Sequence, residues 1–211
     1  YISENGALII DRGIELFSVE IPKNNVRTIT EEISKHPQLS VVVCGKKSAY
    51  MLDSVSEELF YEMKLYYHRL NRVPTFEVVE DQVLKFALSC PPHETGQLRS
   101  LLMSKINDLV TPISSGHGSI DLIVPGFHKA SGIQLLQEKW KINDEQIMAF
   151  GDGGNDIEML KHARFGFAME NGSVEVKEAA KYIAPSNNHN GVLEVIDHFF
   201  ANKGPFKHLD N

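Results

Sequence analysis

The chain has little cysteine. Cys44 and Cys90 are the only two among 211 residues, and each lies in an apolar run. That excludes a disulfide framework and reads as two reduced thiols in a cytoplasmic protein. It also lacks long apolar runs. No stretch approaches the roughly 18 apolar residues of a membrane span, and no signal-peptide pattern occurs in it. It lacks an excess of positive charge as well: Lys+Arg is 21 against Asp+Glu 28, a net charge of -7. This balance argues against nucleic acid or an anionic membrane as the main partner. A local phosphate site is still compatible with it. There are no repeats and no low-complexity segments. What remains, 42% hydrophobic and 23% charged residues, is ordinary for a soluble globular protein with room for one large or two small domains. Nothing in the pattern sets an oligomeric state.

The order of predicted elements changes along the chain. Leu8-Ile9-Ile10 and Leu16 to Val19 flank Asp11-Arg12-Gly13, a hairpin signal. Val26, Ile29 and Ile33 recur at helical spacing until His36-Pro37. Val41 to Cys44 is a β-branched strand, and Leu59, Met63, Tyr66 and Leu70 predict an amphipathic helix over 56–70. Leu84, Phe86, Leu88 and Cys90 alternate, so 83–90 is a half-buried strand. Leu98, Leu101, Leu102 and Ile106 mark another helix, and strands over 110–114 and 119–124 flank the turn Ser115-Gly116-His117-Gly118. This middle region reads as helices covering a sheet. From Lys129 onward short strands at 147–150, 165–168 and 182–184 alternate with helices, the doubly wound parallel pattern. The domain change falls between Ile120 and Lys129, with Pro125-Gly126 as a hinge. The helix opened by Lys129 turns Ile133, Leu136 and Trp140 inward. The tail 203–211 has little to pack and is expected to fray.

The densest chemistry lies in Gly151-Asp152-Gly153-Gly154-Asn155-Asp156, between the strand Gln146 to Phe150 and a helix starting with Ile157, Met159 and Leu160. A turn at the carboxyl end of such a strand is where open α/β sheets bind ligands. Two carboxylates and an amide without thiolates suit a hard cation such as magnesium. Asp152 is the metal-ligand candidate and Asp156 the second carboxylate; each is also an ordinary charge near a helix start. Asn155 adds a side-chain amide to the turn, and a plain N-cap is its ordinary reading. Lys129 sits in a first helical turn, where a cation opposes the helix dipole. A bound anion such as phosphate explains it there. His117, His128 and His189 lack the spacing of a zinc triad and read as surface residues. Asn5-Gly6 reads as a tight turn.

These residues resemble the haloacid dehalogenase-like phosphatases, most closely their Cof-type branch. Gly126-Phe127-His128-Lys129-Ala130-Ser131-Gly132-Ile133 is similar to that family's third motif, and the segment from Gly151 through Ile157, Glu158, Met159 and Leu160 to its fourth. Glu4-Asn5-Gly6-Ala7 resembles the turn before the family's cap, and Asn187 to Val192 a loop near the end of such proteins. The resemblance runs over the whole chain, strongest over 120–200. It implies a doubly wound, Rossmann-like parallel-sheet core with an inserted α/β cap: residues 1–21 in the core, 22–119 as the cap and 120–211 as the C-terminal half of the core. It implies a magnesium-dependent phosphatase of small phosphorylated metabolites, sugar phosphates above all, working through an aspartyl-phosphate intermediate. Lys129 and Asp156 would be catalytic, Asp152 and Asp156 would bind the metal, and Lys129, Asn155 and Asn188 would contact the substrate. The loops 45–50 and 114–119 are candidate cap contacts. The family's first motif, Asp-x-Asp-Gly with the nucleophilic aspartate, does not occur, nor is the Ser or Thr of its second motif identifiable. The expectation is that an N-terminal segment of roughly 60 residues is missing before Tyr1. A phosphomutase on the same core, or a binding module that truly lacks the nucleophile, are the alternatives.

Overall fold

The computed structural model describes residues 1–207. They fall into two compact units, one from Tyr1 to Ile133 and one from Gln134 onward.

The first unit begins with three short strands, β1 (Ile2–Ser3), β2 (Leu8–Asp11) and β3 (Ile14–Ser18), paired antiparallel in that order. Between β1 and β2 the chain turns through Glu4, Asn5 and Gly6, all at positive φ (48°, 54° and 97°). Glycine is required at the third place, because a β-carbon there would run into the His128 carbonyl. Asn5 anchors the turn by donating to Asp121 Oδ2 at 2.8 Å.

Next come α1 (Lys23–Ile33), β4 (Ser40–Gly45), β5 (Ala49–Leu52), α2 (Glu57–Met63), β6 (Leu70–Val73), β7 (Val83–Ser89), α3 (Thr95–Ile106), β8 (Thr111–Gly116) and β9 (Ser119–Ile123). The six strands form one sheet ordered β6-β5-β4-β7-β9-β8, antiparallel except for β5 with β6. Strand alternation divides the side chains between two faces. Val43, Phe86, Leu88, Ile120 and Leu122 meet Ile29 and Ile33 of α1 and Leu98, Leu102 and Ile106 of α3 in the main core. On the other face Val42, Cys44, Ala49, Met51 and Leu70 pack under Phe60 of α2. Ser56 caps α2, accepting from the Leu59 amide at 3.2 Å.

The predicted helix over 56–70 is corrected here. It stops at Met63, whose carbonyl takes the amides of both Tyr66 and Tyr67 at 3.0 Å, and Tyr66 is exposed. Leu70 instead starts β6 and pairs with Ala49 of β5, two strands the periodicity did not reveal. Burial under the sheet outweighs helical spacing for this leucine. β9 continues the six-stranded sheet to Ile123, residues 1–21 group with 22–119, and the division lies at Ile133/Gln134.

Helix α4 (Lys129–Trp140) runs across that division. The second unit then has β10 (Met148–Gly151), α5 (Ile157–His162), β11 (Phe165–Met169), α6 (Val174–Ala179), β12 (Tyr182–Ala184) and α7 (Gly191–Phe200). Its three strands are parallel in the order β10-β11-β12, joined by helical crossovers, as the predicted alternation requires. β11 is buried at every position. Two expectations fail. Trp140 is exposed, since α4 buries Ala130 and Gln137 instead, and Gln137 donates to Asp144 at 2.8 Å. The tail does pack: Phe206 is fully buried against Phe165, Phe167 and Phe199. Residues 208–211 of the expected frayed tail lie outside the described residues.

Candidate functional site

β10 ends at Gly151, and the next residues turn through a single 3-10 segment, Gly154–Asp156, into α5. The turn is shaped by Asp156. This buried carboxylate accepts the backbone amides of Asp152 and Gly153 through Oδ2, both at 3.0 Å. Gly151 permits the arrangement, because a β-carbon there would lie 2.7 Å from Asp156 Cγ and 2.8 Å from Oδ2. The motif's first glycine and last aspartate are thus one mechanical unit.

Asp152 is exposed at the strand end. Its Oδ2 accepts from Asn171 Nδ2 at 3.0 Å, and Asn171 Oδ1 accepts the Asn187 amide at 3.1 Å. Asn171 follows β11, and Asn187 follows β12 in the 3-10 turn Asn187–His189 that also carries Asn188. One amide side chain therefore ties the three loops at the carboxyl ends of the three parallel strands. The structure brings together Asp152, Asn155, Asp156 and the loop of Asn188, with Asn188 itself exposed. Asn171 was missed. Its signal in the sequence was its place just after an apolar strand, the position that carries ligand loops in such sheets.

Two carboxylates on one turn, one of them buried and the other exposed, fit a magnesium ion. That cation is usually held by one or two carboxylates and keeps waters and substrate oxygens as its other ligands. Among the described residues no group of three His, Cys, Asp or Glu side chains is placed to hold a metal by itself. His128 Nδ1 accepts the Ser131 amide at 3.2 Å, His189 pairs with Ser186 Oγ at 3.1 Å, and His117 lies in the β8–β9 turn.

Lys129 belongs to the first unit and opens α4. Its helix start is braced reciprocally. The His128 amide donates to Ser131 Oγ at 3.0 Å, and that hydroxyl donates back to the His128 carbonyl at 2.7 Å. Of the two loops expected to make cap contacts, 114–119 borders a cleft of 710 Å³ within the first unit, whereas 45–50 does not. The loop 45–50 is instead clamped by buried Asp81, which accepts from the amides of Lys47 (2.8 Å) and Ser48 (3.2 Å) and from the Tyr50 hydroxyl (3.1 Å). Both cysteines are free thiols.

A family model described as haloacid dehalogenase-like hydrolase matches residues 1–196. The chain is 42% identical, over 98% of its length and 76% of the relative's, to the 5-amino-6-(5-phospho-D-ribitylamino)uracil phosphatase YbjI of Escherichia coli (strain K12). The solved structure of SMU.1108c from Streptococcus mutans UA159 superimposes with a TM-score of 0.88 at 36% identity, covering 94% of this chain and 75% of that one. The HAD subclass IIB sugar phosphatase BT4131 superimposes with a TM-score of 0.79 at 23% identity, covering 95% and 75%, and shares the fold.

Proposed function

We propose, from the premise that this chain belongs to the haloacid dehalogenase-like hydrolase family, that it is a magnesium-dependent phosphatase whose substrate is 5-amino-6-(5-phospho-D-ribitylamino)uracil. The observation that carries the reading is the turn after β10, where Asp156 folds the backbone so that Asp152 stands exposed at the strand end. The substrate rests on the 42% identity to the Escherichia coli enzyme along nearly the whole chain. It is a sugar-alcohol phosphate, within the class that the motifs imply.

In this reading Asp152 and Asp156 hold the magnesium, which supplies Lewis-acid stabilisation of the phosphoryl oxygens when bound. Asn171 orients Asp152 for that task. Lys129 neutralises charge on the phosphate, and Asn155 and Asn188 donate their amides to it. Charge neutralisation and positioning are where phosphoryl-transfer catalysis chiefly lies. The reaction also needs a nucleophilic aspartate and an acid/base aspartate, which no Asp-x-Asp-Gly sequence within these 211 residues provides. The free thiols support a cytoplasmic location.

The test is phosphate release from 5-amino-6-(5-phospho-D-ribitylamino)uracil by the full-length encoded protein, with and without a chelator. Magnesium-dependent release is expected. Asp152→Ala should remove most of the magnesium-dependent release, and Lys129→Ala should slow turnover by roughly 10²-fold, as loss of other charge-stabilising groups does. Turnover indifferent both to the chelator and to Asp152→Ala would sink the assignment.

A further inference from the structure

The turn between β1 and β2 is strained and is held from two sides. Glu4 and Asn5 have φ of 48° and 54°, in the left-handed region, although neither is glycine. Such backbone persists where its surroundings over-determine it. One side of the hold is the six-stranded sheet. In the antiparallel pairing of β7 with β9, Ala87 is opposite Asp121 and Lys85 opposite Ile123, so Lys85 and Asp121 are diagonal neighbours on one face. Asp121 divides its carboxylate between two partners. Its Oδ2 accepts from Asn5 Nδ2 at 2.8 Å, and its Oδ1 accepts from Lys85 Nζ at 3.1 Å. Glu4 Oε2 lies 3.7 Å from the same ammonium. Asn5 and Asp121 are buried, and the Lys85 side chain is only 14% exposed.

The other side is the start of α4. A β-carbon at Gly6 would lie 2.4 Å from the His128 carbonyl oxygen and 3.4 Å from Ser131 Oγ. A β-carbon at Gly132 would lie 2.6 Å from Ile2 Cγ2. β1 and its turn therefore touch α4 both before and after Lys129, and all of these residues belong to the first unit. A shift of the turn bears directly on the backbone that carries Lys129. The ion pair is of the kind that resists such a shift. Burial opposes the Lys85 charge, and the carboxylates, Asp121 foremost, more than offset it, so Lys85 stays protonated. Removing Asp121 would leave a buried ammonium with the more distant Glu4 and would take from Asn5 its acceptor at 2.8 Å.

We infer that Lys85 and Asp121 are positioning residues: through Asn5 they pin the β1–β2 turn, and the turn fixes the helix start that carries Lys129. That Lys129 then serves turnover rests on the function proposed above; the packing of the turn on α4 stands without it. Asp121→Asn keeps the size of the side chain and removes its charge. Asn5→Gly keeps the positive φ and removes the amide. In the full-length protein, hydrogen–deuterium exchange of Asp121→Asn should rise over residues 1–7 and 128–133 and stay at the wild-type level over 98–106 of α3. Phosphate release from 5-amino-6-(5-phospho-D-ribitylamino)uracil, assayed well below the unfolding midpoint, should slow about tenfold, because a misplaced catalytic group loses rate. In a Lys129→Ala background the same substitution should change the rate less than about twofold, since its effect passes through the lysine already removed. A merely structural loss would slow both backgrounds alike. If Asp121→Asn does not fold, Asn5→Gly is carried through the same measurements. Exchange at the wild-type level over 128–133, or equal slowing in both backgrounds, overturns the inference. A wild type that releases no phosphate refutes the function proposed above instead, and exchange alone then decides the latch.

Discussion

Gly151→Ala tests whether the motif turn depends on the close approach of its first glycine to its last aspartate. The added β-carbon would lie 2.7 Å from Asp156 Cγ and 2.8 Å from its Oδ2. The aspartate is buried and its Oδ2 holds two backbone amides at 3.0 Å, so it has no flexible end to swing away. Moving it strands the Asp152 and Gly153 amides, at about 1–3 kcal/mol each, and overpacking adds about 1–3 kcal/mol. We expect a loss of about 4 kcal/mol, which for a chain of this size lowers the unfolding midpoint by roughly 8–16 °C. Thermal unfolding followed by circular dichroism measures it. The control is Gly96→Ala in α3, where a β-carbon meets nothing within 4 Å and helix propensity favours alanine, so the midpoint should hold or rise. A Gly151→Ala protein as stable as the wild type would refute the claim that this glycine exists to admit Asp156.

Asn171→Ala should weaken magnesium binding to the full-length protein about tenfold in calorimetric titration, because supporting partners of metal-binding carboxylates typically contribute that much; unchanged affinity would remove Asn171 from the site. Phe206→Ala should cost about 3–5 kcal/mol in denaturant unfolding, since it empties a fully buried aromatic position; a cost below about 1 kcal/mol would mean the tail is not docked. Burial pushes the Cys44 thiol up to about 12, whereas Cys90 is only half-buried. An alkylating reagent at mildly alkaline pH should therefore modify Cys90 first and reach Cys44 only on unfolding, with equal rates as the contrary result. The raised thiol pKa has a stability consequence of definite sign. Below the unfolded value of about 8.5 both states keep the neutral thiol and nothing is lost. Between there and about 12 the unfolded state ionises while the folded one does not, so stability falls as pH rises through that window.

Local physics made a large part of this protein readable from its residues. The Gly151–Asp156 turn follows an apolar strand and precedes a helix, a pattern set by neighbours in sequence, and the structure has it there. The alternation of Lys85, Ala87 and Ser89 with Phe86 and Leu88 already separated a polar from an apolar face of β7. Partnership across distance was not readable. Leu70 fits a helix by spacing but is taken by Ala49 in a parallel pairing, and Phe206, in a polar tail, finds Phe165 and Phe167. Likewise Asn171 becomes part of the site only because the parallel order of β10, β11 and β12 sets three loop ends side by side. The serines 40, 89 and 119 are unremarkable one by one, and they line a cleft floor only through strand register. A turn, a cap or an alternating strand is decided by residues within a few places of each other. A register, a cleft or a bridging amide depends on which distant segments meet, and that is settled by burying the whole chain at once.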